Sequence, residues 1–239
     1  MSPPKVLVGC PISDHKAYCF DRYVNGLHAL TYAHKDVLLV DNSKDDTFFK
    51  TIQASKIPVQ HIPYLESARE RLIQSRNILR QTVLDGGYDY FLSLECDIIP
   101  PKDIIERLLA HDKKVISGVY FKPFSHVTES GKVIKREVLP VAYKKHSEKS
   151  TFVHRLTYEH VRKDAVLPVA IVGLGCMLIH RSIFEEGTQF RIDPKRPEVF
   201  DDTHFCVDVR EKGHTIFLDT SLKCMHLLTG GTDWKDIQK

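Results

Sequence analysis

The stretch YDYFLSLECDIIPP, residues 88–101, joins a short apolar run to two carboxylates and ends in a pair of prolines. The apolar run is typical of a buried strand in a parallel sheet. Such a strand, ending in Glu95-Cys96-Asp97, places both acids at the carboxyl edge of the sheet, where open α/β folds bind their ligands. Carboxylates this close repel one another unless a cation or a donor-rich ligand lies between them. The motif indicates a divalent-cation site, and a solvated strand end is the alternative when the tripeptide is taken alone.

The segments on either side of this strand alternate between strand-like and helix-like patterns. Apolar and β-branched runs predict strands over residues 5–11, 36–41, 58–62, 115–120, 169–179 and 215–218. Helical spacing predicts helices over residues 23–32, 48–55, 65–86, 100–109 and 202–212. The alternation predicts an α/β fold with a mostly parallel central sheet and helices on its faces.

The longest predicted helix carries two side-chain stripes. Leu65, Leu72 and Leu79 recur every seven residues and mark its apolar face. Arg76 belongs to a basic stripe close beside it. Two interpretations of Arg76 stay open: contact with a phosphate or with the acidic site, and a surface position along the helix. We expect the helix to end near Gly86.

Composition limits the class of protein. The 239 residues suit one sizeable α/β domain or two small ones that share a core. The 34 basic and 31 acidic residues give a net charge of +3, too mild to imply nucleic-acid binding. No apolar run approaches the ~20 residues of a membrane helix, and we expect no signal peptide because residues 1–5 run directly into a strand-like segment. Six cysteines without Cys-x-x-Cys spacing indicate core thiols, so we expect a soluble, cytoplasmic protein.

Residues 121–168 interrupt the alternating pattern. They hold ten Lys or Arg, five Asp or Glu and four His, with no clean long period. We interpret them as an irregular insertion or a mixed-strand region. A solvated basic loop and a phosphate-facing lid remain equally good descriptions of its role.

Five segments, in order along the chain, resemble those of the GT-A fold glycosyltransferases, and most of all family 2. The resemblance covers nearly the whole chain apart from the basic region. The segments are VLLVDNSKDDT (residues 37–47), SRN (75–77), YDYFLSLECDIIPP (88–101), GLGCMLIHRSIF (173–184) and DDTHFCVDVREKGHTIFLDTSLKCMH (201–226).

The resemblance implies a single GT-A, Rossmann-like domain over residues 1–239, with a smaller mixed portion on the acceptor side. Within it, residues 1–120 would bind the nucleotide sugar, 121–168 would be the basic region and possible lid, and 169–239 would form the acceptor and catalytic half. The activity implied is transfer of a sugar from a UDP- or GDP-sugar to an acceptor hydroxyl, with Mn²⁺ or Mg²⁺ as cofactor. The acceptor, a carbohydrate, lipid or protein, stays open.

The resemblance also assigns roles to individual residues. Asp97 is the expected direct metal ligand, Glu95 reaches the metal through water or touches ribose, and His226 is a further ligand or a phosphate donor. Asp202 is the expected general base, with Asp201 beside it, unless this acidic pair only stabilises a helix N-terminus. The expected nucleotide-sugar contacts are Pro11, Ser13, Asp41, Arg76, Glu95, Cys96 and Gly175.

Several departures leave alternatives open. The metal motif opens with Glu95 where the family has Asp, and the Glu-Asp pair of the family is Asp201-Asp202 here. An Asp general base favours inversion of configuration, whereas the fold also hosts retaining enzymes. The rival interpretations are a non-catalytic sugar- or nucleotide-binding module and a sugar-phosphate nucleotidyltransferase. The latter is disfavoured because the loop after the first strand lacks a glycine-rich sequence.

Overall fold

A computed structural model describes residues 2–128, 130–147, 150 and 152–227 of the chain. The last residues of the predicted domain, 228–239, lie outside this description. The helices are α1 (Phe20–Ala29), α2 (Thr47–Ala54), α3 (Ala68–Asp85), α4 (Ile104–Leu109), α5 (Tyr158–Val161), α6 (Arg181–Glu185) and α7 (Asp201–Glu211), with a 3-10 helix at Asp14–Cys19.

The strands alternate with these helices in the first half of the chain and cluster in its middle. They are β1 (Val6–Ile12), β2 (Lys35–Asp41), β3 (Val59–His61), β4 (Tyr90–Leu94), β5 (Ile98–Ile99), β6 (Val115–Val119), β7 (Phe121–Val127), β8 (Val133–Pro140), β9 (Ala142–Lys145), β10 (Val153–Arg155), β11 (Val166–Val169), β12 (Ile171–Val172), β13 (Cys176–His180), β14 (Ile216–Lys223) and β15 (Met225–His226).

Eight of the strands form one mixed sheet, in the order β11-β14-β6-β13-β4-β1-β2-β3. Strands β3, β2, β1 and β4 are parallel to one another. Strand β13 is antiparallel to both β4 and β6, and β14 is parallel to β6. Strand β11 on the edge is antiparallel to β14. Six strands therefore share one direction, which confirms the predicted mostly parallel α/β sheet.

Helices cover both faces of this sheet. In β1, Val6 and Val8 belong to the core on one face and Leu7 to the core on the other, as the two-residue period of a strand requires. The first face packs against α1, α2 and α4, and the second packs against α3, α6 and α7. Because the strands are buried on both faces, they read in the sequence as continuous apolar runs.

The region 121–168 is not irregular. It contains the antiparallel hairpin β7–β8, and β9 pairs with both β10 and β12 in a small three-stranded sheet. The structure therefore has mixed strands in this region, which was the second of the two interpretations that the sequence left open. Because the first side chains of β8 are exposed, the sequence has no two-residue apolar period that would predict the hairpin.

The predicted leucine stripe of α3 was wrong for its first residue, Leu65. Leu65 precedes α3 and is exposed, because the helix begins at Ala68 after Ser67, whose hydroxyl accepts a hydrogen bond from the Glu70 N–H at the N-terminus. The helix ends before Gly86, as expected.

All six cysteines are free and buried, as expected for core thiols. Within the described residues, no helix is both long enough and apolar enough to span a bilayer.

Candidate active site

The parallel strands bring their carboxyl ends to one edge of the sheet, and the acidic motif lies there after β4. The Glu95 N–H donates to the Gly175 carbonyl at 3.0 Å, and the Asp97 carbonyl accepts from the Leu227 N–H at 2.6 Å. Cys96 is packed into the apolar core between them. The motif is thus held from both sides by the C-terminal half of the chain.

Asp97 is buried and contacts two basic groups. Lys16 Nζ donates to Asp97 Oδ2 at 2.6 Å, and His226 Nε2 lies 3.4 Å from the same oxygen. Burial opposes the charged carboxylate, but the His226 hydrogen bond and the charge of Lys16 outweigh it and lower the pKa of Asp97 to about 2. Asp97 Oδ1 is also buried, and it has no partner in the described part of the chain.

His226 is oriented by the backbone. Strand β15 pairs with β5, which places His226 opposite Ile98 and beside Asp97. His226 Nδ1 lies 2.8 Å from the Phe121 carbonyl, a contact in which only a protonated Nδ1 can donate. The other ring nitrogen, Nε2, therefore faces the Asp97 carboxylate.

Arg76 joins the acidic motif to helix α7. Its guanidinium is buried and donates to Glu95 Oε1 at 2.5 Å and to Asp201 Oδ2 at 2.6 Å. Burial raises the pKa of Glu95, and the charge of Asp97 adds to this effect while Arg76 opposes it. The predicted contact of Arg76 with the acidic site is therefore present, and a surface position for this residue is excluded.

Asp201 and Asp202 lie in the first turn of α7, but neither is its N-cap, which is Phe200. Asp202 Oδ1 accepts from the Thr203 N–H at 2.6 Å, and Asp201 Oδ2 accepts from the Arg76 guanidinium. Burial raises the pKa of Asp202, and the negative charge of Asp201 raises it further. A carboxylate with a raised pKa next to a cleft is suited to proton transfer.

These groups share one cavity of about 340 Å³. Its lining residues come from both halves of the chain: Lys16, Leu72, Arg76, Glu95, Asp97, Tyr120, Lys122, Val141, Leu174, Phe200, Asp201, Asp202 and His226. The structure thus brings together the predicted metal-binding and catalytic residues.

The predicted nucleobase contacts do not line this cavity. Asp41 is fully buried, with one carboxylate oxygen 2.6 Å from the Ser43 hydroxyl and the other 2.7 Å from His61 Nδ1. Pro11 is buried within β1, and Ser13 is half-buried just before the 3-10 helix. Both carboxylate oxygens of Asp41 thus have partners within the protein, and the side chain has no exposed surface.

Gly175 makes room for a side chain of the protein itself. A Cβ on Gly175 would lie 2.7 Å from the Tyr120 ring, and the Gly175 N–H donates to the Tyr120 hydroxyl at 3.3 Å. Gly173 faces the same ring. The Gly-x-Gly segment thus seats Tyr120 in the cavity wall, an explanation that the sequence did not suggest.

Sequence reasoning did not identify Lys16, Lys122, Tyr120 or Phe200 as cavity residues. Lys16 follows β1 and Lys122 follows β6 at the same sheet edge, so a search for basic residues after parallel strands would have found both. Phe200 is more than half exposed and directly precedes the acidic pair. The sequence feature that would have identified Phe200 is a large apolar side chain next to two acids at the start of a predicted helix.

Solved structures similar to this one include two glycosyltransferases. The crystal structure of GalNAc-T7 with UDP, GalNAc and Mn²⁺ is 15% identical over 95% of this chain and 44% of its own, with a TM-score of 0.61. Mannosyltransferase PcManGT from Pyrobaculum calidifontis, in complex with GDP-Man and Mn²⁺, is 13% identical over 93% of this chain and 56% of its own, with a TM-score of 0.57. This chain has a GT-A-type fold.

The present chain spans about half the length of these two proteins. No protein-family model matches it, and no curated protein sequence matches it. The assignment to family 2 therefore stays a prediction.

Proposed function

We propose that this protein is a metal-dependent glycosyltransferase that moves a sugar from a UDP- or GDP-sugar to an acceptor hydroxyl with inversion. The observation that carries the proposal is the single cavity lined by Asp97, His226 and Asp202. It combines a buried acid–imidazole pair with a separate carboxylate whose pKa is raised.

The donor set fits a hard divalent cation such as Mn²⁺ or Mg²⁺. Asp97 Oδ1 is a buried oxygen without a partner in the described residues, and the His226 ring is held by the Phe121 carbonyl, as metal-binding histidines commonly are. No group of three or more His, Cys, Asp or Glu side chains able to hold a metal occurs among the described residues. Asp97 and His226 would therefore hold the ion together with a diphosphate, with Glu95 reaching it through water. A metal ion there supplies charge neutralisation of the leaving diphosphate.

The proton is handled by Asp202. Its carboxylate takes the proton of the acceptor hydroxyl as that oxygen attacks the anomeric carbon and the diphosphate leaves with the bonding electrons. Thr203 holds one carboxylate oxygen of Asp202, so the side chain is fixed for this task. Lys16 and Lys122 add positive charge on the side of the diphosphate.

The remaining assignments follow the same proposal. Pro11, Ser13 and Asp41 would contact the nucleobase, and Gly175 and Cys96 would shape the donor site through their backbone. Phe200, exposed at the rim, offers an aromatic face to an acceptor sugar.

Calorimetry with UDP-glucose, UDP-galactose, UDP-N-acetylglucosamine and GDP-mannose tests the proposal, first with Mn²⁺ and then with EDTA. We expect one donor to bind with Mn²⁺ and at least tenfold more weakly with EDTA. The variant Asp97→Asn should lose the effect of the metal, while Asp36→Asn, far from the cavity, should keep it. No binding of any donor under either condition would contradict the proposal and favour the non-catalytic binding module.

A further inference from the structure

A second cavity lies away from the catalytic one, between the small sheet β10-β9-β12 and the end of α7. Its volume is about 480 Å³, and its basic lining consists of Lys144, Lys145, His154, His160 and Arg210. It shares no lining residue with the catalytic cavity. Arg210 follows Asp202 by eight residues on α7, a separation of about 12 Å along the helix.

The positive charges of Lys144 and Arg210 in this cavity have no acidic partner among the described residues. No carboxylate from the described residues lines it, and within that part of the chain no ion pair includes Lys144 or Arg210. Both side chains are half-buried. Like charges gathered in a partly desolvated cleft are unfavourable unless an anion lies between them.

Arg210 is held in a way that leaves its forked end available. Its Nε donates to the Cys206 carbonyl at 3.3 Å, one turn back on α7. The two terminal nitrogens of the guanidinium have no hydrogen bond within the described residues. Such a fork matches two oxygens of a phosphate group.

The histidines add further donors. His160 Nδ1 accepts from the Thr157 N–H at 3.1 Å, so its Nε2 carries the proton and is a donor. The His154 ring centroid is 6.4 Å from that of His160, and its buried Nδ1 has no partner in the described residues. A buried ring nitrogen without a partner is uncommon and is explained when a ligand supplies one.

We propose that this cavity binds the phosphate group of a small phosphorylated molecule. The donor count favours phosphate over a single carboxylate, because Lys144, Arg210 and His160 together offer more N–H groups than two oxygens can accept. The volume exceeds that of one phosphate and lies in the range of small-molecule sites. Val169 and Ala170 give the cavity an apolar wall against which the rest of such a ligand can pack.

Calorimetry in EDTA with inorganic phosphate, pyrophosphate and glucose 6-phosphate tests the proposal. We expect binding to the unmodified protein and at least tenfold weaker binding to the double variant Lys144→Gln/Arg210→Gln. The control Lys56→Gln/Arg136→Gln removes the same charges from exposed positions away from the cavity and should bind as the unmodified protein does. Equal affinity for the first double variant, or no binding of any of the three compounds, would overturn the proposal.

NMR of the imidazole resonances in the unmodified protein gives a test that does not depend on a variant folding. Titration with the same compounds should shift the resonances of His154 and His160. Shifts confined to His226 would place the phosphate in the catalytic cavity and would overturn the proposal. A larger response to glucose 6-phosphate than to inorganic phosphate would identify an ester as the ligand, and equal responses would identify free phosphate.

Discussion

Asp201 and Asp202 show how neighbouring charges give two similar acids different roles. Asp201 is paired with Arg76, whereas Asp202 is held by neutral groups of Thr203 and is left with a raised pKa. Two adjacent carboxylates in the same helical turn thus differ because only one has a cationic partner. The sequence shows the pair but not the partner, since Arg76 is 125 positions away from Asp201.

Replacing Asp202 with Asn should abolish turnover while leaving donor binding nearly unchanged. The amide cannot accept the acceptor proton, and we expect kcat to fall by about 10²- to 10⁴-fold. Single-turnover transfer and donor calorimetry measure the two effects separately. Glu211→Gln, at the far end of the same helix, should behave as the unmodified protein. Normal turnover by Asp202→Asn would show that another group is the base.

The pH dependence of turnover should report the charge of Asp201. A general base acts when deprotonated, so kcat should fall as pH decreases through the raised pKa of Asp202. Asp201→Asn removes a negative charge next to Asp202 and leaves Arg76 to stabilise the Asp202 carboxylate. The pKa of Asp202 should therefore fall, and the acid limb of the kcat profile should move down by about one pH unit.

Profiles of kcat against pH for Asp201→Asn and for the control Asp208→Asn measure this shift. Asp208 is on the same helix but pairs with Arg191. An acid limb that stays in place or moves to higher pH in Asp201→Asn would contradict the assignment.

Among the elements, β13 shows how the sheet builds the cavity wall. It runs antiparallel between β4 and β6, so its N-terminal end lies at the same edge as the carboxyl ends of those strands. Gly175 precedes it and lies beside the acidic motif, where its carbonyl accepts from the Glu95 N–H. The short strand thus closes one side of the site.

Gly175→Ala should destabilise the fold through this contact. Its Cβ would lie 2.7 Å from the buried Tyr120 ring, and we expect a loss of about 1–3 kcal/mol in the free energy of unfolding. Gly26→Ala in α1 is the matched control. Its Cβ would lie 3.4 Å from Ile99, and a helical Gly→Ala change gains about 0.5–1 kcal/mol. Urea denaturation measures both, and equal stability of the two variants would contradict this description of the wall.

The sequence predicted elements well where local pattern decides them. Continuous apolar runs marked β1, β4 and β6 because these strands are buried on both faces, and β2 because its second half is buried. The antiparallel direction of β11 and β13 and the hairpin in 121–168 were beyond it, since this pairing depends on neighbours remote in sequence. For the site, strand ends and the family resemblance pointed to Asp97, Asp202 and His226. Lys16 was missed because a single lysine in the short 3-10 helix after β1 carries no periodic signal.

Across the whole molecule, one buried arginine connects the two halves of the chain. Arg76 in α3 contacts both Glu95 after β4 and Asp201 in α7. Arg76→Ala should leave these acids without a cation and cost about 3–5 kcal/mol of the free energy of unfolding at pH 7. The loss should be smaller at pH 5, because carboxylates without a cation have raised pKa values in the folded state and protonate more readily there.

Urea denaturation at both pH values measures the effect of Arg76→Ala. Arg162→Ala removes an exposed arginine paired with Glu159 and should cost at most about 0.5 kcal/mol at either pH. A loss for Arg76→Ala that is the same at pH 7 and pH 5 would show that packing, not charge, explains the role of Arg76.

The bond from the Tyr18 hydroxyl to the Leu227 carbonyl spans 209 positions, and it has a consequence for how the protein is made. Contacts so distant in sequence form late, because the entropy of closing the intervening loop is lost before the contact stabilises anything. During synthesis, the 3-10 helix and the acidic motif leave the ribosome long before β15. His226 and Leu227 can therefore join the acidic motif only after almost the whole described chain has emerged.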